Sequence, residues 1–345
     1  MTKTKAILYA FLAAVFYAIN VPISKILLGN VGPTTMAALL YLGAGIGIGI
    51  LAQVNKKDSE KAEKLTKKDL PYVIGMIVLD IAAPIFLMLG ISYGSSANAS
   101  LLGNFEIVAT TLISLLIFKE TVSAKLWAAI ALITLSSILL SFEGTDSFIF
   151  SVGSLFVLLA TTCWGFENNC TRNISSKSTY EIVVLKGIFS GLGALAIALI
   201  KKETFPGITY IAAALLLGFV AYGLSIFLYV RAQNVLGAAK TSAYYAVAPF
   251  VGAFLSFVFL REQLSWIYLA ALIVMIAGSA LVAADTLAMY HAHEHQHTFT
   301  HTHDGSTHTH TVIHAHGHSH YLTDNKHGHR HTVKDLESLP GAIHR

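Results

Sequence analysis

The sequence predicts an all-α integral membrane protein: ten transmembrane helices arranged as two inverted five-helix repeats, followed by a disordered histidine-rich tail. Three observations carry this. Of 345 residues 54% are hydrophobic and only 12% charged, with a mean hydropathy of +0.64, whereas a soluble domain carries about 25% charged residues to keep its surface wet. Apolar stretches of membrane-spanning length recur along the chain. Finally, all 16 histidines lie beyond Tyr290.

Each apolar stretch is long enough to cross about 30 Å of hydrocarbon at 1.5 Å per residue. The predicted spans are Ala6–Leu28, Thr34–Val54, Leu70–Ile91, Asn98–Phe118, Ala124–Phe142, Val152–Cys170, Tyr180–Ile200, Ile208–Val230, Lys240–Leu260 and Trp266–Asp285. The first follows Lys3 and Lys5 as a signal peptide would, but with Pro22 and Lys25 inside it reads as a retained helix. Lys and Arg placement sets the orientation. With a cytoplasmic N-terminus, the inside segments carry Lys3, Lys5, Lys56, Lys57, Lys61, Lys64, Lys67, Lys68, Lys119, Lys125, Arg172, Lys177, Arg231 and Lys240. The outside loops carry only Lys201, Lys202 and Arg261. The expectation is a multi-pass protein of the cell membrane with both termini cytoplasmic.

The chain also repeats itself. FKETVSAKLWAAIALITLSSILL at 118–140 matches LREQLSWIYLAALIVMIAGSALV at 260–282, pairing Glu120 with Glu262, Ser123 with Ser265 and Ser137 with Ser279. The same offset aligns Ala97 and Ser100 with Ala239 and Ser242. Upstream, FYAINVPISKI at 16–26 faces CWGFENNCTRN at 163–173, matching Tyr17 to Trp164, Asn20 to Glu167 and Lys25 to Arg172. Gly43 and Gly47 correspond to Gly187 and Gly191, both spaced as GxxxG. Five spans per repeat is odd, so the second copy enters the membrane inverted. Inverted repeats are a recurring architecture of secondary transporters, with the solute site near the midplane. The organisation expected is 1–142 for the first repeat, 143–286 for the second and 287–345 for a cytoplasmic tail.

These residues carry a resemblance. The chain resembles the drug/metabolite transporter superfamily, specifically its EamA type with ten helices. The aromatic–x–x–Asn turn with a following cation in spans 1 and 6, the small-residue runs before spans 4 and 9, Pro249, and the FKE and LRE turns bear it. The resemblance covers about residues 6–285 and implies fold and transport, while the family's solutes are chemically diverse. One departure is that Pro249 aligns with Ile107, so the first repeat lacks that proline.

An ionisable residue inside a span is costly and points toward the bundle interior or a water-filled cavity. Asp80 lies mid-span, four residues before Pro84, and its counterpart in the second repeat is Tyr222. Glu106 stands beside Asn104 in span 4, and Glu167 with Asn168 and Asn169 makes span 6 the most polar. The expected site is a proton- or cation-coupled cavity lined by Asp80, Asn104, Glu106, Glu167 and Asn168, with Asn20 opposite. Interhelical hydrogen bonding at about 1 kcal/mol each is the competing explanation. Lys25, Arg172 and Lys186, a turn or so from span ends, either snorkel to the interface or form gating ion pairs. The GxxxG pairs are read as packing, and Glu120 and Glu262 as caps at the N-termini of spans 5 and 10.

In the tail, histidine alternates with small or polar residues: His291, His293, His295, His297, His301, His303, His308, His310, His314, His316, His318 and His320, then His327, His329 and His331. In an extended chain residues i and i+2 point the same way, and neutral imidazole suits zinc, nickel, copper and cobalt. A divalent transition metal (Zn, Ni or Co) is therefore the expected ligand of the tail, with no obligatory cofactor. A pH-responsive polycation is the other chemical reading. Few apolar residues predict disorder without metal.

Together these features predict a secondary transporter of a small polar organic solute, such as an amino acid or related metabolite. A divalent-metal carrier regulated by its tail and a membrane-anchored metal sensor or buffer are the alternatives. The expected partners are the lipid bilayer, the small-molecule solute and divalent metal ions, and a homodimer is compatible with them. No basic patch with interleaved aromatics points to nucleic acid. No nucleophile–base constellation, metal-hydrolase motif or phosphate loop points to an enzyme. Cys163 and Cys170 share one apolar stretch and form no disulfide framework.

Overall fold

The computed structural model describes residues 2–55, 63–118, 122–143, 149–174, 177–236, 241, 244–262, 265–286, 288–303 and 306–321. They belong to two units, Met1–Asp285 and Thr286–Arg345.

Helices cover all ten predicted spans. Span 1 is Lys3–Leu27, span 2 Pro33–Val54, span 3 Lys67–Tyr93, span 4 Ser96–Ile117 and span 5 Ala124–Leu140. Span 6 is Val152–Ile174, span 7 Thr179–Ile200, span 8 Ile208–Tyr229, span 9 Ala248–Leu260 and span 10 Trp266–Asp285. Among the described residues seven of these helices are long and apolar enough to cross a membrane by themselves. Spans 5 and 9 are shorter apolar helices, and span 6 is diluted by its polar stretch around Glu167. Large apolar side chains such as Leu116, Ile200, Trp266 and Ile273 stand outward and uncovered, as a lipid-facing surface requires. The protein is a multi-pass membrane protein.

The helices start where the sequence supplies caps. The hydroxyls of Thr2, Ser95, Ser123 and Ser178 accept backbone N–H bonds at the starts of spans 1, 4, 5 and 7. Several helices are interrupted inside the bundle. Span 1 breaks at Ile19, between Lys3–Ala18 and Asn20–Leu27. Pro22 lacks the N–H that would have bonded the Ala18 carbonyl. Span 4 breaks at Gly103 and Asn104, between Ser96–Leu102 and Phe105–Phe118. Spans 7 and 8 each contain a π-helical turn, Lys186–Ser190 and Phe219–Leu224.

Packing follows the repeat. Span 3 packs along span 6, and its counterpart span 8 along span 1; spans 4 and 9 cross each other. Span 1 meets span 8 with an alanine face, Ala6, Ala10, Ala13 and Ala14, all buried. Span 2 lies against spans 7 and 8 through glycines. A Cβ on Gly43 would strike the Leu215 carbonyl, on Gly47 the Phe219 ring, and on Gly187 the backbone of Gly45. The GxxxG pairs therefore hold backbones at close approach, as small-residue packing in membranes requires.

In the tail, strand β1 (Ala288–His303) pairs antiparallel with strand β2 (Ser306–Tyr321), setting Ala288 opposite Tyr321 and His303 opposite Ser306. The physical reason is in the sequence. Thr298, Thr300, Thr302, Thr307, Thr309 and Thr311 are β-branched at alternate positions. His327, His329 and His331 lie outside the described residues.

Candidate functional site

Two groups of polar residues occupy the bundle interior. The first centres on Lys186, the first residue of the π-turn in span 7. Its ammonium lies 3.0 Å from Asp80 Oδ2 of span 3 and 3.0 Å from Glu167 Oε1 of span 6. Asp80 is fully buried and Glu167 2% exposed. The Tyr41 hydroxyl donates to Asp80 Oδ1 at 2.8 Å, and Thr171 donates to Glu167. One ammonium thus serves two buried carboxyl groups.

The second group surrounds a cavity of about 120 Å3 at the helix breaks of spans 1, 4 and 9. Glu106 and Asn104 line it together with Tyr17, Ser100, Trp164, Tyr245 and Pro249. Glu106 Oε1 accepts from Asn168 Nδ2 at 2.7 Å, and Asn168 also donates to Thr110 Oγ1 at 3.2 Å. Asn104 donates to its own turn, at Leu101 O. Pro249 and Ile107, the pair that departs from the family pattern, both line the cavity. Pro249 sits in the first turn of the span 9 helix, where its missing N–H costs no intrahelical bond.

Two connections join the groups. Trp164 lines the cavity and its indole N–H reaches Tyr41 Oη at 3.4 Å, which in turn holds Asp80. Asn168, which holds Glu106, is the chain neighbour of Glu167. Interrupted helices around a polar site are the usual way a membrane protein exposes backbone and side-chain polarity only where a cavity receives it. Both π-turns carry a polar residue of the bundle interior, Lys186 and Tyr222, and π-turns are frequent at functional sites.

Every residue expected at the site lies in this interior, but not in one ring. Asp80 and Glu167 belong to the Lys186 triad; Asn104 and Glu106 line the cavity, with Asn168 behind Glu106. Asn20 donates to Tyr222 Oη at 3.1 Å and accepts from Ser24 at 3.1 Å, so these two form a separate buried pair beside Tyr41. Lys186 does not snorkel; the two carboxylates draw it inward. Lys25 is also anchored, donating to the carbonyls of Ile91 at 2.6 Å and Gly94 at 2.8 Å at the end of span 3. Glu262 is a cap, but of span 4 rather than span 10: it accepts from Ser95 Oγ and from the Ser96 and Ala97 amides, each at 2.8 Å. Glu120 and the Arg172 side chain lie outside the described residues.

Sequence reasoning missed Tyr41, Trp164, Tyr17 and Tyr245 as site residues. A signal existed for two of them, since Tyr17 and Trp164 mark equivalent positions of the repeats and both face the cavity.

Two inverted sets of helices around a polar, interrupted-helix cavity define a multi-pass membrane carrier. The chain belongs to the EamA-like transporter family, which it matches twice, over residues 4–142 and 151–284. It is therefore a membrane transporter of a small solute. An uncharacterized transporter from Methanothermobacter thermautotrophicus is 26% identical over 284 residues, 77% of this chain and 82% of the relative. A crystal structure of a protein 16% identical in sequence superposes with a TM-score of 0.61 over 83% of this chain and 98% of that one, a likeness of fold.

Proposed function

We propose that the protein is a secondary transporter carrying a small polar organic solute, an amino acid or related metabolite, by alternating access. The observation that supports this most is the cavity at the helix breaks, with Glu106 and Asn104 on its wall and links through Trp164 and Asn168 to the buried Lys186 triad. Asp80, Glu106 and Glu167 are the coupling or binding carboxylates. Uptake of labelled amino acids and amines into proteoliposomes tests the reading. Accumulation that collapses in Asp80→Asn and Glu106→Gln supports it, and wild-type flux in both variants removes these residues from the site.

A metal-binding tail is the second element of the proposal. The β1–β2 register supports it: His291, His293 and His295 stand opposite His318, His316 and His314, and His301 opposite His308. All these positions fall on one face of the ladder, with threonine, alanine and glycine positions on the other. The interior favours an organic solute over a metal cargo. Among the described residues no group of three or more potential metal ligands is assembled, and the Lys186 ammonium takes the place between Asp80 and Glu167. Labelled zinc and nickel flux, comparing the full chain with one ending after Leu287, separates the alternatives. Flux in both chains would make the membrane domain a metal carrier. Tight binding without flux by the full chain leaves the tail as a buffer or sensor attached to a carrier of something else.

A further inference from the structure

The cavity wall has an uneven chemistry that narrows the solute. Among the described residues lining it, Glu106 alone carries a charge. Its Oε1 is held by an uncharged donor, Asn168, and no cation pairs with it among the described residues. The nearby buried ammonium, Lys186, is already shared between Asp80 and Glu167. A carboxylate on a cavity wall inside a membrane needs a counter-charge, and among the described residues no cation lines this cavity. Three aromatic side chains share the wall with Glu106 among small and aliphatic residues: Tyr17, Trp164 and Tyr245, with the Tyr17 and Tyr245 ring centres 6.0 Å apart. Aromatic faces around a carboxylate are the chemistry that receives alkylammonium groups, through ring quadrupoles and charge together. Ser100 adds a hydroxyl, 5% exposed and without a hydrogen-bond partner among the described residues, that faces the same space.

We infer that the transported solute is a small organic cation. Its ammonium pairs with Glu106 inside the Tyr17, Trp164 and Tyr245 walls, and a second, uncharged polar group bonds the Ser100 hydroxyl. Of the solutes proposed above, amines fit better than amino acids, because among the described residues a solute carboxylate would meet no cation on the wall. The cavity, about 120 Å3, has room for a small organic molecule. The inference rests on the cavity being the solute site of the transporter proposed above.

The test is binding to the purified full chain in lipid nanodiscs, by calorimetry, of four probes: ethanolamine, tetramethylammonium, alanine and acetate. Neopentyl alcohol serves as the neutral counterpart of tetramethylammonium. The two cations should bind at least tenfold more tightly than the alcohol, alanine or acetate. Glu106→Gln should lose that preference, Glu106→Asp should keep most of it, and Trp164→Leu should weaken tetramethylammonium more than ethanolamine. Thermal unfolding of each variant shows whether it is folded. Equal affinity for the alcohol and the cation, or an undiminished preference in folded Glu106→Gln, overturns the inference. Tight alanine binding that depends on Glu106 overturns the cation assignment yet leaves the transporter reading standing. If no probe binds and labelled amino acids and amines show no flux, both fall.

Discussion

Asp80 and Tyr222 hold corresponding positions of the two repeats, and a single residue of span 2 touches both. The Tyr41 hydroxyl donates to Asp80 at 2.8 Å while its ring centre lies 5.2 Å from that of Tyr222. The pseudo-symmetric positions have therefore diverged in chemistry. One carries the charge and is bound to Lys186, the other a neutral hydroxyl that takes the Asn20 amide.

The triad makes a first prediction. Lys186→Met leaves Asp80 and Glu167 buried together without a counter-ion, and breaking a buried pair this way costs about 3–5 kcal/mol. The variant should unfold at markedly lower temperature in detergent. Lys186→Met combined with Asp80→Asn, which removes one orphaned carboxylate, should recover part of the loss. If the double variant is no more stable than the single, the pairing of Lys186 with Asp80 is not what holds the triad.

Span 2 offers an internal comparison. Gly43→Ala pushes a methyl into the Leu215 carbonyl, whereas Gly49→Ala meets nothing closer than the Val184 methyl at 3.9 Å. The first should lose about 1–3 kcal/mol through overpacking, and the second should be neutral or slightly stabilising because alanine is the better helix former. Melting temperatures of the two variants measured side by side decide this.

Glu203, in the loop between spans 7 and 8, predicts a pH dependence. Burial pushes its carboxyl up, but hydrogen bonds from Thr34 and Thr35 outweigh burial and hold it below the ordinary glutamate value. A carboxyl depressed in the folded state stabilises above its unfolded pKa, about 4.3, and loses that contribution as pH falls through the lower folded value. Thermal stability of the wild type should decline from about pH 5 downward more steeply than that of Glu203→Gln. Parallel profiles would mean that the bonds to the start of span 2 contribute nothing.

The tail and the membrane body should separate functionally. The chain ending after Leu287 should lose zinc and nickel binding measured by equilibrium dialysis, and solute flux should persist in it. Stripping metal from the full chain with a chelator should likewise leave solute flux unchanged. Loss of flux on chelation would make the metal part of the transport step.

Much of this molecule could be read from the sequence because membranes impose simple rules. Span length follows from bilayer thickness, and Asp80, Glu106 and Glu167 stand out because charges in apolar helices are rare. Lys186 was harder to place. Its position near a span end suits snorkelling equally well, and only the packing of span 7 against span 3, with Glu167 of span 6 within reach, decides between water and carboxylates. Tyr17, Trp164 and Tyr245 were hidden for the opposite reason, since aromatics are common in membrane helices and carry no local mark of facing a cavity. The tail's alternation was legible as an extended chain, and its alternating threonines favour strand pairing.

The π-turn at Lys186–Ser190 is, in mechanical terms, a phase step. One residue beyond the α-helical count rotates all that follows by about 100°. The same helix can then aim Lys186 at the carboxylates on one side and lay Gly191 against Leu42 of span 2 on another. Deleting one residue there would leave hydropathy and length nearly untouched, yet it would turn the second half of the helix away from its neighbour. Span 7 therefore tolerates exchange of its apolar side chains far better than a change in their number.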